Sequence, residues 1–254
     1  MKLNFGKDQL SIFHPSLETI SDCTLYNARD TLSSNGYYRF DKFITTSTVE
    51  MLQDEINKLI KNASSLSTYR LYCNSNGDVV VMNRLDKESD FLYDFIRNQK
   101  LIEIASFLLG KYAMPLHAEY FSKPAKSSTP SPPHQDHIFY QDHFEDELAI
   151  SFWIALDNVS ENSGALEYAI PANKILLPHK SSTAVDFDFE LKDTKDFAFQ
   201  KVPVACGGCI VHDSYVVHRS QKNLSNQPRR AVVLNYRGSP YRTWLQSNEI
   251  DKNE

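Results

Sequence analysis

The spacing of hydrophobic positions changes near residue 113 of the chain. Before this point apolar residues recur every three or four positions, as Leu25, Ala28 and Leu32 do, which is typical of one face of a helix. After it they form short alternating or continuous apolar runs bounded by turn residues, which is typical of strands. The pattern therefore predicts helices first and a series of short strands afterwards.

Four helices are predicted in the first part of the chain. They cover 21–34, a segment that starts at Ser47 and ends near 62–65, a segment from Ser89 onward, and 101–109. Ser47 and Glu50 have the spacing of a capping box at a helix N-terminus. Gly110 is placed to end the last helix as its C-cap.

Strands are predicted on both sides of the change in spacing. In chain order they are 37–40, 71–73, 79–82, 116–121, 148–156, 165–170, 209–217 and 230–236. The run Asn76-Gly77-Asp78 predicts a hairpin turn between the second and third of them. Two segments are predicted to be irregular, the proline-rich loop 122–133 and the polar stretch 180–201, which we expect to form a surface excursion.

This order of elements predicts a mainly β fold with flanking α-helices. Short antiparallel strands that follow helices suit a double-sheet jelly roll, cupin-like, with the helices packed on one sheet. A length of 254 residues suits one domain. We predict a single domain over 1–254, with a helix-rich part at about 1–112 and a jelly-roll core at about 113–240.

Composition narrows the class of protein. A formal net charge of -5 argues against nucleic acid as the main partner. No apolar run follows 1–7 and no span of about 20 apolar residues occurs, so we expect no signal peptide and no membrane partner. Four cysteines in a chain of this length do not make a disulfide framework, and we expect a cytoplasmic protein with reduced thiols. The pair Cys206 and Cys209 is interpreted as part of a turn between strands, with a metal or redox role as the alternative.

The strongest candidate chemistry lies at His134 and Asp136. Side chains two residues apart on an extended strand point to the same face. Alone this pair is also compatible with a surface loop. His218 ends a distant apolar strand and could complete a group of two histidines and one carboxylate, the arrangement that suits non-haem Fe(II).

A second candidate is Arg229, which opens an apolar strand. An arginine there is costly to bury unless it meets an anion. With period-two alternation, Arg229 shares a face with Ala231, Val233 and Asn235, and it could bind a carboxylate through two parallel hydrogen bonds. Trp153 lies inside another apolar strand, where a core role needs no further explanation.

Substrate contacts are encoded more weakly. His117, Glu119 and Phe121 share one face of a predicted strand that we expect to line a pocket, where Glu119 could bind a cation or could instead face solvent. His137 and Tyr140 follow the first ligand pair and are further pocket candidates. Arg84 could bind an anion or lie on the surface. His212 and Asp213 are interpreted as a structural hydrogen-bonded pair.

These motifs together resemble the phytanoyl-CoA dioxygenase family of Fe(II)- and 2-oxoglutarate-dependent oxygenases. The similarity runs from about Gly36 to Tyr236. Its motifs are the stretches 132–136, 152–157, 163–166, 171–179 and 218–231. The sequence departs from the family pattern at Arg219, where glycine is usual, and at 206–209, where a Gly-Asp turn is usual.

The resemblance implies a double-stranded β-helix and a set of site roles. It implies that His134, Asp136 and His218 hold Fe(II), that Arg229 and Ser220 bind the distal carboxylate of 2-oxoglutarate, and that Trp153 lies beside this cosubstrate. It also implies O2 as the oxidant, release of succinate and CO2, and hydroxylation, desaturation or ring closure of a substrate. Because Asp136 is a carboxylate and not glycine or alanine, halogenation is not expected.

Two other classes of protein stay open at this point. One is a β-barrel module that binds small molecules without a metal, and the other is a metal-dependent hydrolase or isomerase that uses the same three ligands. The second class would not require Arg229. In each case we expect a small-molecule substrate or ligand, and a monomer or homodimer.

Overall fold

A computed structural model describes residues 15–67, 71–127, 129–140, 148–184 and 187–243, with side chains up to residue 239. The N-terminal stretch on which the expectation of no signal peptide depends lies outside these residues. Within them, no helix is long and apolar enough to cross a bilayer.

Four α-helices lie in the first part of the chain. Their bounds are α1 Asp22–Asn35, α2 Thr46–Lys61, α3 Asp90–Ile96 and α4 Gln99–Leu109. Short 3₁₀ helices cover Ala63–Ser65, Leu85–Lys87, Asp136–Phe139 and Glu161–Ser163. The helix α4 ends at Gly110 in the left-handed conformation with φ of 66°, as its C-cap position predicts.

The start of α2 differs from the predicted capping box. The N-cap is Thr45, whose hydroxyl accepts a hydrogen bond from the Thr48 backbone amide, so the helix begins before Ser47. A threonine hydroxyl placed three residues before a free amide satisfies the same orphan donor that a serine would. The capping prediction was therefore displaced by two residues.

Thirteen strands are described. Their bounds are β1 Tyr37–Phe40, β2 Leu71–Cys73, β3 Val79–Met82, β4 Lys111–Lys123, β5 Ser131–His134, β6 Ala149–Ala155, β7 Leu166–Ile170, β8 His179–Ser181, β9 Phe189–Leu191, β10 Ala198–Val202, β11 Cys209–Asp213, β12 His218–Ser220 and β13 Arg229–Thr243.

The strands form two facing antiparallel sheets, which confirms the predicted jelly roll. The larger sheet has the order β1-β11-β6-β13-β4-β3-β2, and the smaller has the order β10-β7-β12-β5. A separate ribbon pairs β8 with β9. Neighbours that are distant in sequence, such as β4 and β13, are the mark of this topology.

Two apolar layers hold the fold together. One joins the helices to the outer face of the larger sheet and contains Leu52, Leu101, Phe152 and Tyr236. The other fills the space between the sheets and contains Trp153, Tyr168 and Val233. Because strand side chains alternate, β13 supplies one layer with Val232, Leu234 and Tyr236 and turns its other residues toward the space between the sheets.

Three predictions of strands and irregular segments were wrong. The loop predicted over 122–133 ends early, because β5 begins at Ser131. The stretch 180–201 is not an irregular excursion, because it contains most of the β8–β9 ribbon and most of β10. The strand predicted over 209–217 ends at Asp213, where its carboxylate accepts hydrogen bonds from the backbone amides of Tyr215 and Val216 and so forms a turn. The division of the chain into a helix-rich part and a core stays a prediction.

The turn with Cys206 and Cys209 connects β10 to β11, as predicted. Both thiols are free, and Cys209 is buried. A Cβ added at Gly208 would lie 2.6 Å from Val204 Cγ2 and 2.9 Å from the Phe40 carbonyl oxygen. The close packing against backbone explains why glycine is needed at this position.

We expect Gly208→Ala to lower the free energy of unfolding by about 2 kcal/mol, because overpacking against backbone cannot relax. The matched control is Gly77→Ala, at a φ of 85° with nothing within 4 Å of the added Cβ, which should cost about 1 kcal/mol. Urea denaturation of both variants measures the difference. Equal losses would contradict the packing explanation.

Candidate metal centre

Two strands of the smaller sheet bring the predicted ligand residues together. His134 is the last residue of β5, and His218 is the first residue of β12, directly opposite it in the antiparallel pair. Asp136 opens the 3₁₀ helix that follows β5. Gln135 between them is extended, with φ of -121° and ψ of 132°. Thus His134 and Asp136 face the same side although only the first of them lies on the strand.

The three side chains aim potential ligand atoms at one point. One ligand atom from each lies within 4.8 Å of the other two. Asp136 Oδ1 lies 3.6 Å from Nε2 of His134 and 3.6 Å from Nε2 of His218. The Nδ1 atoms lie 2.8 Å from the Pro132 carbonyl and 3.2 Å from the Val216 carbonyl. Because a carbonyl only accepts, both Nδ1 atoms carry the proton, and both Nε2 atoms present lone pairs.

Burial sets the protonation of this group. It lowers the pKa of His134 and lowers that of His218 well below the usual value, against the opposing effect of Asp136. Burial alone would raise the pKa of Asp136, but His218 and the hydrogen bond from His212 outweigh it and hold that pKa far below its usual range. Two neutral imidazoles and one carboxylate are the forms in which these side chains bind a metal ion.

A buried tyrosine–histidine pair supports the carboxylate from behind. His212 Nε2 lies 3.1 Å from Asp136 Oδ2, and its Nδ1 lies 2.9 Å from the hydroxyl of Tyr168. Since a carboxylate only accepts, Nε2 donates to Asp136 and Nδ1 accepts from the tyrosine hydroxyl. Burial and Asp136 raise the pKa of Tyr168 well above its usual value, so the hydroxyl keeps its proton. His212 therefore does not pair with Asp213, which instead contacts Lys174 at 3.1 Å.

A second set of polar contacts leads from Asp136 toward the substrate candidates. Ser151 Oγ lies 3.0 Å from Asp136 Oδ2 and 2.7 Å from Asn235 Oδ1. Asn235 Nδ2 donates to Glu119 at 3.0 Å, and Glu119 lies 3.6 Å from His117 Nε2. Glu119 thus accepts a hydrogen bond from a side-chain amide and is partly buried, so the alternative in which Glu119 faces solvent does not hold.

Arg229 is buried on the same side of the larger sheet. It is 3% exposed, and it donates to the Gly164 carbonyl at 3.2 Å and to the Ser220 hydroxyl at 3.3 Å. Its guanidinium carbon lies 5.2 Å from the centre of the Trp153 ring. Within the described residues no carboxylate forms an ion pair with it. Burial lowers the pKa of Arg229 to about 10, so the side chain is still charged at neutral pH.

The three ligand candidates, together with Glu119, Arg229 and Asn235, border one cavity of about 1150 Å³. Of the predicted site residues, those that line it are Arg84, His117, Glu119, Phe121, His134, Asp136, Tyr140, Trp153, His218, Ser220 and Arg229. A cavity of this size suits a small molecule. The structure therefore places the ligand candidates, Arg229 and most of the substrate candidates around the same space.

His137 is an exception, and its prediction as a pocket residue was wrong. It is 1% exposed, and its ring stacks on Tyr215 with the centroids 4.1 Å apart. Its Nδ1 lies 3.2 Å from the Ser214 hydroxyl, and its Nε2 lies 3.1 Å from the Tyr215 hydroxyl. Asp136 and His137 are consecutive residues of one 3₁₀ helix, so their side chains point in different directions, and it is Asp136 that faces the cavity.

The β8–β9 ribbon covers the metal side of the cavity. Phe187 packs on His134 with ring centroids 4.7 Å apart, and Phe189 packs on Phe139 at 5.7 Å. Gln135 connects to the segment that leads into the ribbon, because its side chain donates to the Ile175 carbonyl and accepts from the Leu177 amide. The segment predicted to be a surface excursion thus covers His134 on this side of the cavity.

Sequence reasoning assigned His212 to the wrong partner, Asp213, and missed the aromatic pair Phe187 and Phe189 and the role of Gln135. A histidine inside the apolar run of β11 was a usable signal for His212, because a buried imidazole needs a partner. The alternation of Phe187 and Phe189 was a usable signal for a strand that covers a pocket. Nothing local indicated Gln135, whose contacts lie 40 and 42 residues away.

Fold and site together define a class, a jelly-roll protein in which two histidines and a carboxylate face one cavity beside a buried arginine. Comparison with protein families agrees, because the model of the family described as phytanoyl-CoA dioxygenase (PhyH) matches residues 32–231. The chain belongs to the phytanoyl-CoA dioxygenase family.

Individual relatives are distant. Phytanoyl-CoA dioxygenase domain-containing protein 1 of Danio rerio is 27% identical over 130 residues, which is 48% of this chain and 44% of that protein. The matches span between 39% and 59% of the length of the curated relatives.

Solved structures share the fold. EvdO2 from Micromonospora carbonacea var. aurantiaca superposes with a TM-score of 0.72 at 22% identity over 90% of this chain and 95% of that one. The non-heme alpha ketoglutarate dependent epimerase SnoN from nogalamycin biosynthesis superposes with a TM-score of 0.66 at 18% identity over 85% of this chain and 84% of that one. At these identities the likeness shows the fold alone.

Proposed function

We propose that this protein is a non-haem Fe(II)- and 2-oxoglutarate-dependent oxygenase that hydroxylates a small molecule. The carrying observation is the convergence of three lone-pair atoms, Nε2 of His134, Nε2 of His218 and Oδ1 of Asp136, beside a buried arginine. Three acceptors that face one another repel unless a cation lies between them. Two imidazoles and one carboxylate with open positions suit Fe(II) among the biological metals.

The arginine accounts for the cosubstrate. A buried guanidinium without a carboxylate partner is costly, and a dicarboxylic keto acid would supply that partner. Arg229 and the Ser220 hydroxyl, 3.3 Å apart, would hold the distal carboxylate, and the Trp153 ring would form the wall beside it. One of the structural neighbours, EvdO2, has also been solved in complex with 2-oxoglutarate, which supports this assignment.

The protein residues then have separate tasks. His134, Asp136 and His218 would hold the metal, and His212 keeps the Asp136 carboxylate in its orientation through the hydrogen bond to Oδ2. Phe187 and Phe189 exclude water on the ribbon side. Fe(II), when bound, supplies the oxidation of the substrate by O2 while 2-oxoglutarate is converted to succinate and CO2.

Hydroxylation is the finer part of the proposal. The same fold occurs in SnoN, an alpha ketoglutarate dependent epimerase, and in SnoK, an alpha ketoglutarate dependent carbocyclase. Product masses separate the outcomes: hydroxylation adds one oxygen atom, ring closure or desaturation removes two hydrogens, and epimerisation leaves the mass unchanged. We expect a screen of candidate metabolites with Fe(II), ascorbate and 2-oxoglutarate to give succinate with a product one oxygen heavier. Succinate with an unchanged product mass would contradict hydroxylation.

A positioning role for the buried pair gives a separate prediction. We expect His212→Phe to weaken Fe(II) binding about 10- to 100-fold, because partners that orient a ligand have effects of this size. Tyr168→Phe, which removes only the 2.9 Å contact to Nδ1, should have a smaller effect in the same direction. Anaerobic Fe(II) titration measures both. An unchanged affinity in His212→Phe, with the variant folded, would contradict the role.

A further inference from the structure

Beyond the cosubstrate arginine, three more arginines border the cavity, and one of them, Arg219, forms an ion pair with Glu167 at 2.6 Å. The other two are Arg84 and Arg237. From their positions we infer that the substrate carries an anionic group, a carboxylate or a phosphate, and that Arg84 and Arg237 bind it at the end of the cavity remote from Arg229. The inference deepens the proposed function and rests on it.

Strand register places the two arginines at the same end. Along β13, Arg229 pairs with Lys123, Asn235 pairs with His117, and Arg237 pairs with Met114 of β4. Asn235 is the residue joined to Asp136 through Ser151, so it marks the level of the metal centre. Arg237 lies two residues beyond it and Arg229 six residues before it, on the same face of the strand.

Arg84 reaches that end from the neighbouring strand. It follows β3, in which Met82 pairs with Tyr120 of β4, so Arg84 continues toward His117. Asp86, two residues later, accepts from the Ala118 amide at 3.1 Å, which fixes this level. Arg84 and Arg237 thus border the cavity near the His117 end of β4.

The backbone of Arg84 is unusual. Its φ of 58° lies in the left-handed region, which a residue with a side chain adopts at a cost. Within the described chain, the one other non-glycine residue with positive φ is Lys126, which also lines the cavity. Strained positions that persist at a cavity wall point to a requirement for that side chain. Glycine would fit this backbone better, so we attribute the arginine to ligand binding.

The hydrogen bonding of Arg84 is incomplete. Its Nε is buried without a hydrogen-bond partner, and the nearest described carboxylate oxygen, Asp86 Oδ1, is 4.0 Å away and already accepts from Ala118. A planar guanidinium with a free Nε–H edge matches the two oxygens of a carboxylate or phosphate. Glu119, the other carboxylate at this end, accepts from Asn235 Nδ2.

The space between the metal centre and the end with Arg84 and Arg237 suits the body of the substrate, since 2-oxoglutarate would lie between the metal centre and Arg229. Ile138 and Tyr140 give the cavity apolar surface next to the metal centre. A molecule held by its anionic group at Arg84 and Arg237 would present its apolar part to the metal. Recognition at one end and reaction at the other separates the substrate anion from the carboxylate of 2-oxoglutarate.

The test uses the protein loaded with Fe(II) and 2-oxoglutarate without oxygen, and calorimetric titration with benzoate, phenyl phosphate and neutral benzamide. We expect at least one of the two anions to bind 10-fold or more tightly than benzamide. Preference for benzoate indicates a carboxylate substrate, and preference for phenyl phosphate indicates a phosphate ester. Arg84→Gly and Arg237→Gln should each reduce the preference at least 5-fold.

Two controls make the result decisive. Arg39→Gln, an arginine on β1 that pairs with Asp41 at 2.8 Å outside the cavity, should keep the preference. The melting temperature of Arg84→Gly should be unchanged or raised, because glycine relieves the left-handed backbone; a lowered one would indicate a structural role and overturn the assignment of Arg84. Equal affinity for all three probes, or binding of none, would overturn the inference as a whole.

The titration also distinguishes this inference from the proposed function. The affinity of the wild-type protein for 2-oxoglutarate is measured in the same buffers. Binding of 2-oxoglutarate without anion preference overturns only the substrate inference. A wild-type protein that does not bind 2-oxoglutarate overturns the proposed function, whatever the anion preference.

Discussion

Iron binding and 2-oxoglutarate turnover are expected to be lost together when His134 is replaced by alanine. The substitution removes one of the three atoms that converge on the candidate metal position, and its Nε2 lies 3.6 Å from Asp136 Oδ1. Removing a partner that only orients a ligand typically costs 10- to 100-fold in metal affinity, so loss of the ligand itself should exceed about 100-fold. Iron content after anaerobic loading and succinate release measure the two effects.

The matched control is His137→Gln, three residues along the chain. This histidine is also buried, but it faces Ser214 and Tyr215 and not the cavity. We expect the control to keep a full equivalent of iron, with any loss confined to thermal stability. Turnover by His134→Ala at the wild-type rate would reject the iron site and favour a binding module without a metal.

The second large effect is expected at Arg229. Replacing it with glutamine should weaken 2-oxoglutarate binding about 100-fold, or ~3 kcal/mol, because truncating one partner of a buried charge pair costs 2–5 kcal/mol. Iron binding should be retained, since no ligand candidate is altered. Calorimetric titration with 2-oxoglutarate under anaerobic conditions measures the loss.

The neighbouring arginine is a close control. Arg230 lies on the opposite face of β13, where its Nε and Nη2 donate to the two oxygens of Asp157 at 2.9 and 2.8 Å. Arg230→Gln should reduce stability and leave the affinity for 2-oxoglutarate intact. If Arg229→Gln bound 2-oxoglutarate as tightly as the wild type, the cosubstrate assignment would be wrong, and a metal-dependent hydrolase or isomerase would be the better explanation.

The site predictions that the structure agrees with were those made from local periodicity. The apolar alternation of 229–235 placed Arg229 and Asn235 on one face, and the structure has both on the cavity. The prediction for His137 was wrong because it depended on nearness to Asp136 along the chain, and consecutive residues point in different directions.

The features of the site that the sequence did not predict depend on contacts between residues far apart in the chain, which no local pattern encodes. Tyr168 supports His212 across 44 residues, and its role is visible only once β7 and β11 are placed on opposite sheets. Phe187 and Phe189 have an apolar alternation, but the position of Phe187 over His134 and of Phe189 over Phe139 follows from the anchoring of the preceding segment by Gln135. The substrate end of the cavity likewise follows from the pairing of β13 with β4.

The alternation of β13 also means that a shift by one residue along this strand would change the cavity and the core together. Deleting one residue just before this strand would carry an arginine into the position of Arg229 all the same, because Arg230 is its neighbour. The deletion would, however, turn Asn235 toward the helices and Tyr236, fully buried among them, toward the cavity. Such a variant would lose core packing and would not fold stably, whatever it did to ligand binding. The packing of the core therefore fixes the spacing between the two ends of the cavity, whatever molecule binds there.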